Sequence, residues 1–155
     1  MELKLGDKIP NFTAKDTNGN DFSSQDLIGK KPLVIYFYPK DNTPGCTTQA
    51  CSFRDQYEDF KDLGAEVIGI SGDNVASHQK FSSQFKLPFI LLSDSDKKIR
   101  TLFGVPSNLF GLLPGRVTYV ADKAGTIIMV FDSMKAKNHI SKALEAIKEI
   151  QSLKD

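Results

Sequence analysis

A chain of 155 residues is long enough for one domain burying about 70% of its unfolded surface, so neither a metal nor a disulfide is needed to hold its core. Its 20 lysines and arginines nearly balance 19 aspartates and glutamates without a run of one sign, which argues against nucleic-acid and anionic-membrane binding. No apolar run approaches a membrane span, and the opening MELKLGDKIPNF lacks the basic and apolar regions of a signal peptide. The chain therefore reads as cytoplasmic; a mature organelle protein stripped of its transit peptide would read the same way.

NFTAKDTNGNDFSS predicts a short N-terminal hairpin turning through Asn18, Gly19 and Asn20. LVIYFYP is almost continuously apolar and aromatic, as a central strand covered on both faces should be. After Thr43-Pro44-Gly45 the period becomes helical: Cys46, Ala50, Phe53, Tyr57 and Phe60 recur every three or four positions until Gly64. AEVIGISG predicts a second buried strand, and SHQKFSSQF a helix with Asp73 and Asn74 as candidate caps. FILLSD supplies a third strand and DKKIRTLFG a short helix. VTYVADKAGTIIMVF reads as a hairpin turning at Asp122 to Gly125, and Ile140, Leu144, Ile147 and Ile150 line one side of the last helix. This alternation, uninterrupted by repeats or linkers, predicts one α/β domain over residues 1–155, with a central mixed sheet flanked by helices.

The two cysteines stand out against that frame. Cys46 falls at the predicted helix start, where unpaired N–H groups and the helix dipole favour thiolate over thiol. The same residue also fits a buried cysteine that serves only as a small hydrophobe. Cys51 lies five residues on, about 140° around the axis and about 7.5 Å along it. That separation exceeds the roughly 7 Å limit between disulfide-bonded Cα atoms, so the sulfurs can join only if the first turns unwind. The spacing suits a cycle in which Cys46 is oxidised first and reaches Cys51 through local unfolding. Zinc binding finds little support, because His78 and His139 fall in different predicted helices, where both read as solvated residues.

YPKDNTPGCTTQAC resembles the active-site segment of the peroxiredoxins, and the second cysteine with GRVTYVAD downstream is similar to the peroxiredoxin Q, or bacterioferritin comigratory protein, subfamily. LFGLLPGRVTYV looks most like its plant and cyanobacterial branch, and the resemblance runs from GDKIPNF to the final helix. It implies a thioredoxin-like fold and thiol-dependent reduction of hydrogen peroxide or organic hydroperoxides. It also implies a peroxidatic Cys46, a resolving Cys51 forming an intramolecular disulfide, and Pro39, Thr43 and Arg116 as supporting residues. No cofactor or metal is implied. Thioredoxin, with glutaredoxin as an alternative, is the implied reductant, and the subfamily is commonly monomeric.

The chemistry suits those residue types. A fixed cation such as Arg116 stabilises charge on sulfur and on the departing peroxide oxygen, and the Thr43 hydroxyl both accepts and donates. Pro44 can shelter the sulfur without adding an N–H, and Gly45 completes the turn that would hold substrate. Plainer readings stand beside these: Thr43 as helix cap, Pro44 as first helical residue, Arg116 as surface charge, Pro39 as the end of a strand. Leu109, Phe110, Leu112 and Leu113 form an apolar cluster that suits either a contact rim or a loop folded on the core. Phe81, Phe85 and Phe89 read as core. Two other functions compete: a disulfide oxidoreductase, disfavoured by the missing Cys-x-x-Cys, and a redox-responsive binding module without turnover.

Overall fold

The computed structural model describes residues 2–105, 107–108 and 113–154. Its centre is strand β3, Leu33–Phe37, whose five residues are all buried because both faces of the sheet are covered. Strand β4, Glu66–Ser71, pairs with β3 in parallel and β5, Ile90–Ser93, pairs with β4 in parallel. On the other side of β3 the hairpin β8, Val117–Ala121, and β9, Ile127–Asp132, continues the sheet antiparallel. The expected N-terminal hairpin, β1 (Thr13–Lys15) and β2 (Asp21–Ser23), joins at the other end through Lys15 and Ser93, giving a seven-stranded mixed sheet ordered β2-β1-β5-β4-β3-β8-β9. A separate pair, β6 (Ser107–Asn108) and β7 (Leu113–Pro114), is too short to leave a sequence pattern. Residues 109–112 of the expected apolar cluster lie outside the described residues.

Helices α1 (Pro44–Asp62), α2 (Val75–Phe85) and α4 (His139–Lys154) follow the periodicities that predict them. α1 ends where Gly64 adopts φ +79°, and α2 begins where the Asn74 side chain accepts from Ser77 N–H at 2.8 Å. Alternate residues of β3 divide the core. Val34 and Tyr36 face α1, α2 and α4, together with Phe53, Phe60, Phe81 and Ile147. Leu33, Ile35 and Phe37 face the N-terminal segment and α3 (Lys98–Phe103), with Phe12, Ile99 and Phe103. Phe53 stacks on Tyr36 with centroids 4.5 Å apart, and Tyr36 lies over β4 so closely that a Cβ on Gly69 would come within 2.9 Å of its hydroxyl oxygen. Glycine at that position lets the ring lie flat, which fixes the height of α1 above the sheet.

Candidate active site

Because β3 ends fully buried and α1 starts seven residues later, the connecting loop delivers the helix N-terminus to the carboxyl end of the parallel strands. Asn42 turns the chain with φ +61°, and Thr43 is extended as the residue preceding the helix. Its hydroxyl makes no capping bond and instead donates to Lys40 O at 3.0 Å, which sets aside the helix-cap reading. Pro44 occupies the first helical position and is exposed, whereas Pro39 is half-buried. Neither makes a polar contact with the sulfur, so sheltering by Pro44 is confined to its position in the turn.

Cys46 is 1% exposed, and Cys51, on another face of α1, is half-buried; both are free thiols. Cys46 faces Arg116, which is only 4% exposed and therefore not a surface charge. The guanidinium is held on three sides: Nη2 donates to Cys46 Sγ at 3.4 Å, Nε to Met134 O at 2.9 Å, and Nη1 to Gln49 Oε1. Gly45 leaves room for it, since a Cβ there would sit 3.0 Å from Nη2. A buried cation with a fixed orientation beside a sulfur at a helix N-terminus is suited to stabilising negative charge on that sulfur and on an oxygen leaving it.

Gln49 was missed by the sequence reading. It lies three residues after Cys46, one helical turn along the same face, and a fully buried glutamine in an apolar stripe is the signal that could have found it. Among the described residues, its Nε2 and the Tyr36 hydroxyl are buried without hydrogen-bond partners. Burial, reinforced by the charges of Cys46 and Asp41, raises the Tyr36 phenol well above its ordinary range, so it stays protonated.

Both histidines correct the sequence expectation, for each is completely buried rather than solvated. His78 meets Asp41 Oδ2 at 2.7 Å and Leu92 O at 3.1 Å. His139 lies 2.8 Å from Thr118 Oγ1 and donates to Ser133 O at 2.8 Å. Ser133 in turn donates its N–H to the Arg116 carbonyl, so His139 braces the corner that holds the arginine. Burial pushes His139 below the usual imidazole range, and the nearby Arg116 adds to the effect.

The AhpC/TSA family model matches residues 5–130. The chloroplastic peroxiredoxin Q of Triticum aestivum is 52% identical over 96% of this chain and 69% of its own length, and that of Sedum lineare 53% identical over 99% and 81%. Among solved structures, peroxidoxin BcpB from Mycobacterium tuberculosis superposes with a TM-score of 0.89 at 34% identity, over 96% of this chain and 99% of its own. The bacterioferritin comigratory protein of Xanthomonas campestris, studied for its alkyl peroxide reduction activity, gives 0.83 at 31% identity over 90% and 92%. These neighbours bear out the thioredoxin-like α/β fold. The plant relatives overturn the cytoplasmic expectation, because they are chloroplast proteins and point to a plastid instead.

Proposed function

This chain belongs to the AhpC/TSA family and is a thiol peroxidase of the peroxiredoxin Q kind, and from that premise we propose that Cys46 is the sulfur that attacks the hydroperoxide. The observation that carries the assignment is the buried Arg116 guanidinium 3.4 Å from Cys46 Sγ, fixed by Gln49 and Met134. The Cys46 sulfur anion attacks one peroxide oxygen; the S–O bond forms as the O–O bond breaks, and the departing oxygen takes a proton to leave as water or an alcohol. Arg116 opposes the negative charge that passes from sulfur to that oxygen, an interaction that favours the transition state over bound substrate. Thr43, with its hydrogen given to Lys40 O, keeps its oxygen lone pairs free to accept from a peroxide hydroxyl. Pro39, Pro44 and Gly45 shape the approach.

The resulting Cys46 sulfenic acid condenses with the Cys51 thiol; the sulfurs join and the sulfenic oxygen leaves as water. A dithiol reductant then returns two electrons and two protons. For this chain the proposed reductant is thioredoxin, with glutaredoxin as the alternative, acting on a monomer whose residues 1–155 form one domain in a plastid. Replacing Cys46 by serine is expected to abolish thioredoxin-coupled peroxide consumption. Cys51→Ser is expected to accumulate Cys46 sulfenic acid after one equivalent of peroxide while recycling slows. Mass spectrometry of both variants is the test, and full turnover by Cys46→Ser would sink the assignment.

A further inference from the structure

Upstream of Cys46 the structure contains a buried polar cluster that the peroxidase chemistry does not use. The Asp41 carboxylate accepts from the Tyr38 hydroxyl at 2.6 Å through Oδ1, and from the Ser77 hydroxyl at 2.8 Å through Oδ2, which also meets His78 Nδ1 at 2.7 Å. The Asp41 N–H donates to Asp73 Oδ2 at 2.7 Å, and that oxygen accepts from Ser71 Oγ at 2.7 Å as well. His78 Nε2 faces Leu92 O at 3.1 Å, an atom that can only accept, so Nε2 carries a proton. Two bare lone pairs would repel at 2.7 Å, so a further proton lies between Nδ1 and Oδ2. Asp41, Asp73 and His78 bring ligand atoms within 4.8 Å of one another, but these atoms already bond within the cluster.

The cluster ties one short loop to three elements. Asp41 belongs to the connection between β3 and α1; Ser71 ends β4, Ser77 and His78 lie in α2, and Leu92 lies in β5. Asn42, the next residue, turns the chain in the left-handed conformation that asparagine tolerates better than most non-glycine residues. Thr43 follows directly. We propose that Asp41, locked to His78, is a positioning residue for the peroxidase site: it fixes the loop from Pro39 to Thr43 against Cys46 and sets the N-terminal limit of the α1 unwinding. The inference rests on Cys46 as the reacting sulfur. Attack on peroxide needs the loop in place, whereas closure to Cys51 needs α1 to open, so loosening the clamp separates the two steps.

Asp41→Ala, Asp41→Asn and Ser77→Ala in the full chain test this. Rapid-mixing mass spectrometry follows Cys46 oxidation by hydrogen peroxide and the subsequent disulfide closure, with hydrogen exchange read across residues 38–45. Asp41→Ala is expected to slow oxidation between about 10- and 100-fold, to speed exchange in the loop, and to leave closure unslowed. Ser77→Ala, which removes one donor to Oδ2, is expected to slow oxidation about threefold. Asp41→Asn is expected to retain most of the oxidation rate, since a carboxamide still accepts from Tyr38 and donates to His78 Nδ1. A purely structural role would lower thermal stability and scale both steps alike. Wild-type oxidation in folded Asp41→Ala, or in Ser77→Ala if Asp41→Ala does not fold, would overturn the proposal, as would equal slowing of both steps. Peroxide turnover by Cys46→Ser would instead remove the reading on which it rests.

Discussion

Replacing Arg116 by methionine removes the guanidinium and keeps much of the side chain's volume. At 3.4 Å from Sγ, a unit positive charge attracts a sulfur anion by about 5 kcal/mol at an effective dielectric of 20. Desolvating a group that is only 4% exposed cancels part of that, and loss of one preorganised donor in comparable sites costs about 2.7–4 kcal/mol. The second-order rate of Cys46 oxidation should therefore fall about 10²- to 10³-fold. Arg116→Lys keeps the charge but cannot reach Sγ, Gln49 Oε1 and Met134 O from one planar fork, so it should recover only part of the loss. Competition for peroxide against a haem peroxidase of known rate measures the constant, and repeating it from pH 6 to 9 separates the chemical step from the ionisation of sulfur. An Arg116→Met enzyme within threefold of wild type at every pH would refute the assigned role of the cation.

Gly45→Ala should keep or raise stability, since alanine gains about 1 kcal/mol over glycine in a helix, yet its Cβ would meet Arg116 Nη2 at 3.0 Å. Peroxidase activity is expected to fall about tenfold while the urea midpoint does not drop, and unchanged activity would show that the arginine yields freely. His139 is held below its ordinary range, so below about pH 6.5 the unfolded chain binds the proton more readily than the fold does. Its contribution is intact above that range and is lost as pH falls toward the lowered folded value. Urea unfolding at pH 7.5 and 5.5 should therefore lose less stability on acidification in His139→Asn than in wild type. Across residues 46–53, hydrogen exchange should be faster in the disulfide form than in the reduced form, and identical exchange would remove the unwinding step.

The elements that the sequence made legible are those whose burial follows a local rhythm. β3 is a continuous apolar run and emerges buried at every position, and the stripe from Cys46 to Phe60 emerges as the inner face of α1. The position of Cys46 at a helix start was enough to nominate it, and the family resemblance nominated Arg116. What they could not supply was pairing across long stretches of chain. Arg116 meets Gln49 across 67 positions and His78 meets Asp41 across 37, and no periodicity records either contact. The histidines looked solvated because a polar residue in a helix is usually exposed. Each is buried here because two partners satisfy its ring nitrogens. Asp41 stood in plain sight inside YPKDNTPGC, but its role lies in the end of a strand and a helix that the motif does not contain.

The same geometry explains how a helix firm enough to hold Cys46 can release it. In the first turn of α1 the bonds are local: Thr47 N–H to Thr43 O at 2.8 Å, and the Thr48 hydroxyl to Pro44 O at 2.9 Å. Arg116 supplies the distant polar tethers, to Cys46 and Gln49. From Phe53 onward the helix is anchored differently, by Phe53 stacked on Tyr36 and Tyr57 against Phe89 at 6.1 Å. In the proposed cycle peroxide converts an anionic sulfur into a neutral sulfenic acid, so the guanidinium keeps its own charge but loses the opposite charge it faced. The oxidation that requires resolution thus weakens the arginine's hold on the first turn, while the aromatic anchor further along is untouched. The rise of about 7.5 Å between Cys46 and Cys51 is overcome once the first turns, short of the Phe53 anchor, give way and let the sulfurs meet.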